Sequence, residues 1–460
     1  MASDTTPGST TAPGGPGGPA PGEPAPAPGA AAPPDPMAIL RERRYLMLLV
    51  LAVIAGVIVS FAAWGFLELT HQLQTWLYTD LPRDVGYDGG PPLWWSLPLL
   101  LIAGVIVAFA IDRLPGSGGH VPSNGLSAGM TQPIALPGVM LAAIATLGAG
   151  VVLGPEAPLI ALGGGLGILC ARLVRRDAPE QMLLVMGVAG TFAALSMIFS
   201  SPLIAAVVLI EAAGLGGPRL PVVLLPGLLA AGIGSLVSIG MGSWTGLSTS
   251  DYALGALSLP HYERPTFAAL CWTVALALVI AGGVAVIFPA ARAVQRLAKP
   301  RPFLVLPAVG LLVGGLAIAY SQAADKSFQD VLFSGQELIG PLTASPGAWS
   351  LGALALLLAF KAIAWSLSLG SFRGGPIFPA LLLGAAAGMM AGQLPGFDLT
   401  PAVAVGMGAG VSAALRLPLA AVVLALLLTS GTGPGASPLV IVGVVVAYLA
   451  ITGLSSPRRA

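Results

Sequence analysis

Charge is what this chain has least of. Asp, Glu, Lys and Arg make up 8% of its 460 residues, against about a quarter in soluble globular proteins. So little charge cannot cover a water-facing surface, which excludes an ordinary soluble globule. The 20 basic and 19 acidic residues nearly cancel, so no basic field for nucleic acid is present. Cysteine is scarce: Cys170 and Cys271 both lie in apolar runs, and neither a disulfide framework nor a thiolate metal site is indicated. His71, His120 and His261 are too scattered for a metal or redox centre, so no cofactor is expected. A Walker-type phosphate loop is missing, and nothing points to nucleotide-driven pumping. An intramembrane enzyme needs a Ser–His pair or metal cluster at depth. No histidine faces an evident nucleophile, so that reading is remote. A cation carrier would want more intramembrane carboxylates than Glu156 and Glu211.

Apolar residues are what is abundant, at 56% of the chain and a mean hydropathy of +0.89. The apolar segments are continuous and do not alternate, which excludes a barrel pattern and leaves an all-α polytopic membrane protein. Residues 1–36 are a Pro/Gly/Ala-rich stretch expected to be a disordered tail, without the apolar core of a signal peptide. Arg41, Arg43 and Arg44 precede the first apolar run, which places the N-terminus in the cytoplasm by the positive-inside rule. Further basic clusters, at Arg172/Arg175/Arg176, from Arg292 to Arg301 and at Arg458/Arg459, mark the same face. Apolar segments run from 45–70 to 437–454, with polar stretches at 243–263 and 322–347 read as extramembrane loops with room for short helices. The organisation expected is a helical repeat over 37–242, a loop over 243–263, a second repeat over 264–454 and a short cytoplasmic tail over 455–460.

One ionisable residue stands out. Glu156 lies in Gly154-Pro155-Glu156-Ala157-Pro158, between apolar runs that extend from Ile134 to Cys170. A carboxylate at membrane depth costs roughly 2.5–3.5 kcal/mol on insertion scales, so it is a functional candidate by default. Proline suits the first turn of a helix, and the free amides of that turn attract anions. The spacing predicts a helix that begins inside the bilayer, with its amino end and a carboxylate aimed at one point. The stretch recurs as Gly375-Pro376-Ile377-Phe378-Pro379, and Pro202–Leu209 recurs as Pro418–Leu424 with one residue dropped. Matching Gly/Pro-interrupted segments in two halves point to a transporter's binding site at the midplane.

These residues resemble the CLC family of chloride channels and chloride/proton antiporters. The likeness rests on Gly154–Pro158, Gly374–Pro379, Gly116–Pro122, Phe199–Glu211 and Val405–Thr429, in family order between about Arg44 and Leu454. It implies a fold of two inverted helical repeats whose broken helices meet at a midplane anion site. It also implies a homodimer of separate pores, with 202–213, 219–241, 417–429 and 437–454 at the interface. Glu156 resembles the gating glutamate. Gly154, Ala157, Ile377 and Phe378 resemble the anion cradle, together with Gly118 and Gly119. The segment Gly116-Ser117-Gly118-Gly119-His120-Val121-Pro122 is two residues longer than the family pattern. Anchored on Gly116, it puts Ser117 at the family's anion-coordinating serine. Anchored on Pro122, it puts Gly119 there.

Other departures bear on mechanism. Pro155 replaces a common basic residue, Ala157 a usual glycine, and Phe378 and Pro379 are displaced by one. Glu211 is followed by Ala212, where the similar antiporters carry an internal proton-transfer carboxylate. Glu211 is then expected to pair with a nearby basic group. No tyrosine follows Tyr448, and the family's cytoplasmic nucleotide-sensing domains are not expected. His120 is either an interfacial histidine or a modifier of selectivity or pH response. Lys361 either concentrates anions in a vestibule or snorkels, and Arg373 is the better attractor of anions. Ala212 and the missing tyrosine favour a passive chloride channel. Retention of Glu156 keeps a chloride/proton antiporter as the alternative. Chloride is the default anion, with nitrate, bicarbonate and bromide open, and a bacterial-type plasma membrane is the expected location.

Overall fold

A computed structural model describes residues 40–126, 130–199, 201–214, 216, 220–247 and 254–455. The tail over 1–36, the stretch 456–460 with Arg458 and Arg459, and residues 248–253 of the predicted loop lie outside the described residues.

The described chain is helical, and its one β-bridge is an isolated contact between Gly154 and Gly375. Nine of its helices are long and apolar enough to cross a membrane. The first is α1 (Arg43–Asp84), 42 residues long. It overruns the expected 45–70 because Trp76–Asp80 continues it as a π turn. The far end is tied down by Trp95, whose Nε1 donates to Leu77 O at 2.8 Å. α2 (Ser96–Arg113) returns to the starting face. α3 (Leu136–Gly148), α4 (Glu156–Val174), α5 (Glu180–Phe199), α6 (Pro202–Ala212) and α7 (Leu220–Thr245) complete the first series. α8 (Phe267–Ala298), α9 (Pro302–Ala324), α10 (Gln336–Ala344), α11 (Leu351–Ser371), α12 (Ile377–Ala391), α13 (Leu399–Leu415), α14 (Pro418–Leu428) and α15 (Ala436–Ser455) form the second. α10 is a short helix within the polar stretch 322–347.

Several elements cannot span. α6 and α14 have 11 residues each and α12 has 15, short of the roughly 20 needed to cross the hydrocarbon core. Their starts are fixed by sequence. Pro202 and Pro418 occupy the first turns of α6 and α14, where the missing N–H breaks no helical bond. Ser201 Oγ accepts from Ile204 N at 3.4 Å. Spanning helices use the same device: Thr266 caps α8 at Ala269 N (3.0 Å) and Ser350 caps α11 at Ala353 N (3.1 Å).

The two series pack alike. α4 lies against α5 as α12 lies against α13, and α7 and α15 cover α5 and α13. Glycine makes these crossings possible. A Cβ on Gly163 would strike Gly190 O, and one on Gly190 would strike Gly163 O. Gly384 and Gly406 repeat this reciprocal contact in the second pair, and Gly388 meets Ala402 O as Gly167 meets Met186 O. Where lipid removes the hydrophobic drive between helices, such close backbone approach supplies the packing energy.

The orientation of the ends defines two faces. Tyr45 Oη, at the start of α1, donates to Val222 O at the start of α7 (3.2 Å), and Arg172 at the end of α4 donates to Gln132 just before α3 (3.1 Å). We call this the near face and the opposite one the far face.

Gly406→Leu is expected to separate α12 from α13 and prevent recovery of a monodisperse protein in detergent. Gly283→Leu, at a position with nothing within 4 Å, is expected to purify and melt like the parent. Size-exclusion profiles and thermal midpoints of the two variants check this.

Candidate functional site

The two broken helices are tied together by backbone. Gly154 N donates to Gly375 O at 2.7 Å and Gly375 N to Gly154 O at 2.6 Å. In the bilayer core no water is available to satisfy these groups, so each strand end completes the other. Pro155 and Pro376 then turn the chain into α4 and α12.

Glu156, the first residue of α4, is fully buried. Its Oε1 accepts from Ile377 N at 2.7 Å and from Phe378 N at 3.1 Å, the opening amides of α12. Oε2 has no partner among the described residues. A carboxylate oxygen thus stands where a free anion would be held: two converging N–H groups at the positive end of a helix dipole. A Cβ on either Gly154 or Gly375 would collide with this carboxylate. The Phe199 ring, at the end of α5, stacks on Phe378 with centroids 6.0 Å apart.

A cavity opens toward each face. The far one, about 250 Å³, reaches Leu153 and Pro155 and is lined by Asp330, Glu337 and His71 among others. The near one, about 360 Å³, is lined by Ser123, Arg292 and Arg416. A smaller cavity of about 70 Å³ lies on the near side of Glu156, bounded by Gly118, Gly119, His120, Arg373 and the first turns of α4, including Ala157 and Pro158.

A sequence profile described as voltage gated chloride channel matches residues 123–451. The chain belongs to this family. It is 30% identical over 365 residues to the putative ion-transport protein YfeO of Salmonella choleraesuis, covering 76% of this chain and 81% of that one. The Escherichia fergusonii protein of the same name is 29% identical over 358 residues, covering 76% and 80%. Solved structures share the fold. A slow cyanobacterial Cl⁻/H⁺ antiporter aligns with a TM-score of 0.70 at 19% identity, over 89% of this chain and 95% of that one. A CLC-type fluoride/proton antiporter aligns at 0.68 and 20% identity, over 88% and 95%. The protein is therefore an integral membrane protein of a family that transports anions.

Against this family frame, several expected residues have different surroundings. Ser117 turns in the left-handed region (φ 49°) with an exposed side chain, and it is Gly118 and Gly119 that wall the small cavity. The Ser117 carbonyl instead accepts from Arg373 Nε and Nη2, each at 3.4 Å. Arg373 also donates to Ser371 O and Phe372 O, both at 3.2 Å.

Among the described residues Glu211 has no ion-pair partner. Its Oε1 accepts from Leu419 N at 2.9 Å and its Oε2 from Ala420 N at 2.7 Å, so it caps α14 from the end of α6. Lys361 neither snorkels nor lines the far cavity. It is fully buried, and its Nζ donates to Asp330 O and Leu332 O, both at 2.8 Å. These bonds pin the hook over 328–333, which Phe333 N closes onto Gly150 O at 2.8 Å.

Sequence reasoning missed Asp330. Burial pushes its carboxyl up to about 6, with Lys361 and Lys326 opposing. Its position in an apparently ordinary polar loop carries no spacing signal. It also missed Ser123, whose Oγ donates to Gln295 Oε1 at 2.8 Å on the near side.

Glu211→Ala removes a two-amide cap and is expected to lower stability by about 1 kcal/mol, with Glu211→Gln losing less. Thermal midpoints in detergent, with anion selectivity unchanged, check this assignment.

Proposed function

We propose that the protein is a chloride/proton antiporter with Glu156 as the shared element of both pathways. The observation that carries this is the seat of the Glu156 carboxylate on the Ile377 and Phe378 amides. A carboxylate and a chloride competing for the same N–H groups exclude each other. Protonation weakens the carboxylate's hold on those amides and frees them for the anion. Binding a proton and binding an anion are thereby coupled at one place.

The vestibules support exchange over passive flow. The far cavity carries carboxylates at Asp330 and Glu337, and the near cavity carries guanidinium groups at Arg292 and Arg416. Fields of opposite sign favour protons at one mouth and anions at the other. The antiporters named among the similar solved structures point the same way. A halide needs amide and hydroxyl dipoles and a positive potential, not a nucleophile, which suits a transporter better than an enzyme.

The passive channel is the second reading, and one observation favours it. Glu211 is engaged on α14, and Ala212 stands beside it, so the near-side carboxylate of a familiar relay is not supplied there. Within the proposal, Gly154, Ala157, Ile377 and Phe378 cradle the anion. Two helical repeats, 37–242 and 264–454, contribute the two broken helices. α6, α7, α14 and α15, which expose Leu203, Ile239, Leu419 and Leu449, form a homodimer interface. Arginines on the near face support a cytoplasmic N-terminus in a bacterial plasma membrane.

Liposomes holding the purified protein, loaded with a chloride gradient, should drive protons uphill. Glu156→Ala should abolish proton movement while chloride still passes. Chloride flux in the parent with no proton movement would establish the channel instead.

A further inference from the structure

Resting on the antiport reading, one question stays open: what carries the proton on the near side. The small cavity beside the start of α4 answers it with His120 and Arg373, neither of which the sequence placed in a proton path.

Arg373 is only 7% exposed. Four of its N–H groups reach the carbonyls of Ser117, Ser371 and Phe372. Carbonyls satisfy donors but bring no negative charge, and no carboxylate lies within ion-pair distance of Arg373 among the described residues. A guanidinium has five N–H groups, so one donor and the whole positive charge remain. A buried charge without a counter-charge is expensive. The cavity it borders, about 70 Å³, has room for one small anion and a water, each water taking about 30 Å³.

His120 borders the same cavity. Its Nε2 lies 2.9 Å from Gly125 O. A carbonyl only accepts, so Nε2 carries the hydrogen and Nδ1 is the acceptor nitrogen. Of the residues lining the cavity, His120 and Arg373 alone carry or can take up charge.

We propose that this cavity is a joint anion and proton site, in which Arg373 holds the anion and His120 takes the proton that a near-side carboxylate would otherwise carry. A proton from near-side water binds Nδ1 and forms the imidazolium. It passes across the cavity to the Glu156 carboxylate once that group has left its amides. Glu156 becomes the neutral acid and His120 returns to the neutral imidazole. The His120 ring keeps an exposed edge, but partial desolvation, with Arg373 adding to it and the Gly125 carbonyl opposing, holds the imidazole below its usual proton affinity. An anion on Arg373 cancels the guanidinium's share, so anion arrival promotes proton uptake.

The test uses the purified full chain in liposomes, with chloride and proton flux recorded together. His120→Gln is expected to keep passing chloride while the proton-to-chloride ratio falls about tenfold or more. His120→Glu, which restores a proton-exchanging group, should recover part of that ratio. Arg373→Gln should raise the near-side chloride concentration for half-maximal flux by roughly tenfold, the loss expected for one charged contact. A parent that exchanges protons while His120→Gln keeps the full ratio overturns the relay. An unchanged half-maximal concentration in a well-folded Arg373→Gln protein overturns the anion site. A parent that moves chloride without protons defeats the antiport reading itself, and the relay falls with it.

Discussion

The interaction on which the rest depends is the pair of backbone hydrogen bonds between Gly154 and Gly375. Non-helical backbone at membrane depth is tolerated only where its polar groups are satisfied by protein or a water-filled cavity. Two broken helices starting inside the bilayer each leave such backbone exposed. Here each ending satisfies the other, so neither break is stable without its counterpart. The same pairing brings the amino ends of α4 and α12 together, which sets Glu156 against the Ile377 and Phe378 amides. The converging amides that could hold an anion are thus a by-product of solving the backbone problem, and the glycines are required because any side chain there would displace the carboxylate.

Around this point the molecule is held by close contact between backbones. The reciprocal glycine contacts Gly163/Gly190 and Gly384/Gly406 stand in corresponding places of the two helix series. Because they are backbone contacts, they fix helix separation without relying on side-chain shape. In the proposed cycle one carboxylate is the moving part of this frame: Glu156 would exchange two hydrogen bonds with amides for other partners while the Gly154–Gly375 pairing is left intact.

Much of this was legible in order along the chain. The Gly-Pro-x-x-Pro repeat located both helix starts, because proline and glycine act through local backbone chemistry. The anion cradle around Glu156, Ile377 and Phe378 came from the family resemblance, and the structure brings those three residues together. What was not legible depends on distant partners. Glu211 reads as the partner of a nearby basic group until α14, some 200 residues later, presents its first amides. Lys361 reads as a vestibule or snorkelling cation until the hook over 328–333 supplies two carbonyls. In the Gly116–Pro122 segment the extra residues are taken up as left-handed turns at Ser117, Gly118 and Gly119. The side chain of Ser117 leaves the cavity and its carbonyl turns to Arg373. No alignment anchor could have chosen between Ser117 and Gly119, since the choice is made by φ angles and by a residue from the other half of the chain.

The scarcity of charge gives the remaining charged groups their meaning. Buried Glu156, Lys361 and Arg373 all have backbone partners, and none has a buried counter-ion among the described salt bridges. Lys361 uses its charge on carbonyls that hold a hook in place and is buried away from solvent, where it also opposes the rise of the Asp330 carboxyl. Arg373 differs because a cavity borders it, and a cavity admits a mobile counter-charge. Glu156 differs again because its partners are the amides that an incoming anion needs. A fixed cation beside a space, next to an anion that can leave its seat, is the minimum electrostatic arrangement for trading one negative charge for another. In the antiport reading proposed above, His120 beside that space and Asp330 at the opposite mouth are the groups able to exchange a proton on either side of Glu156.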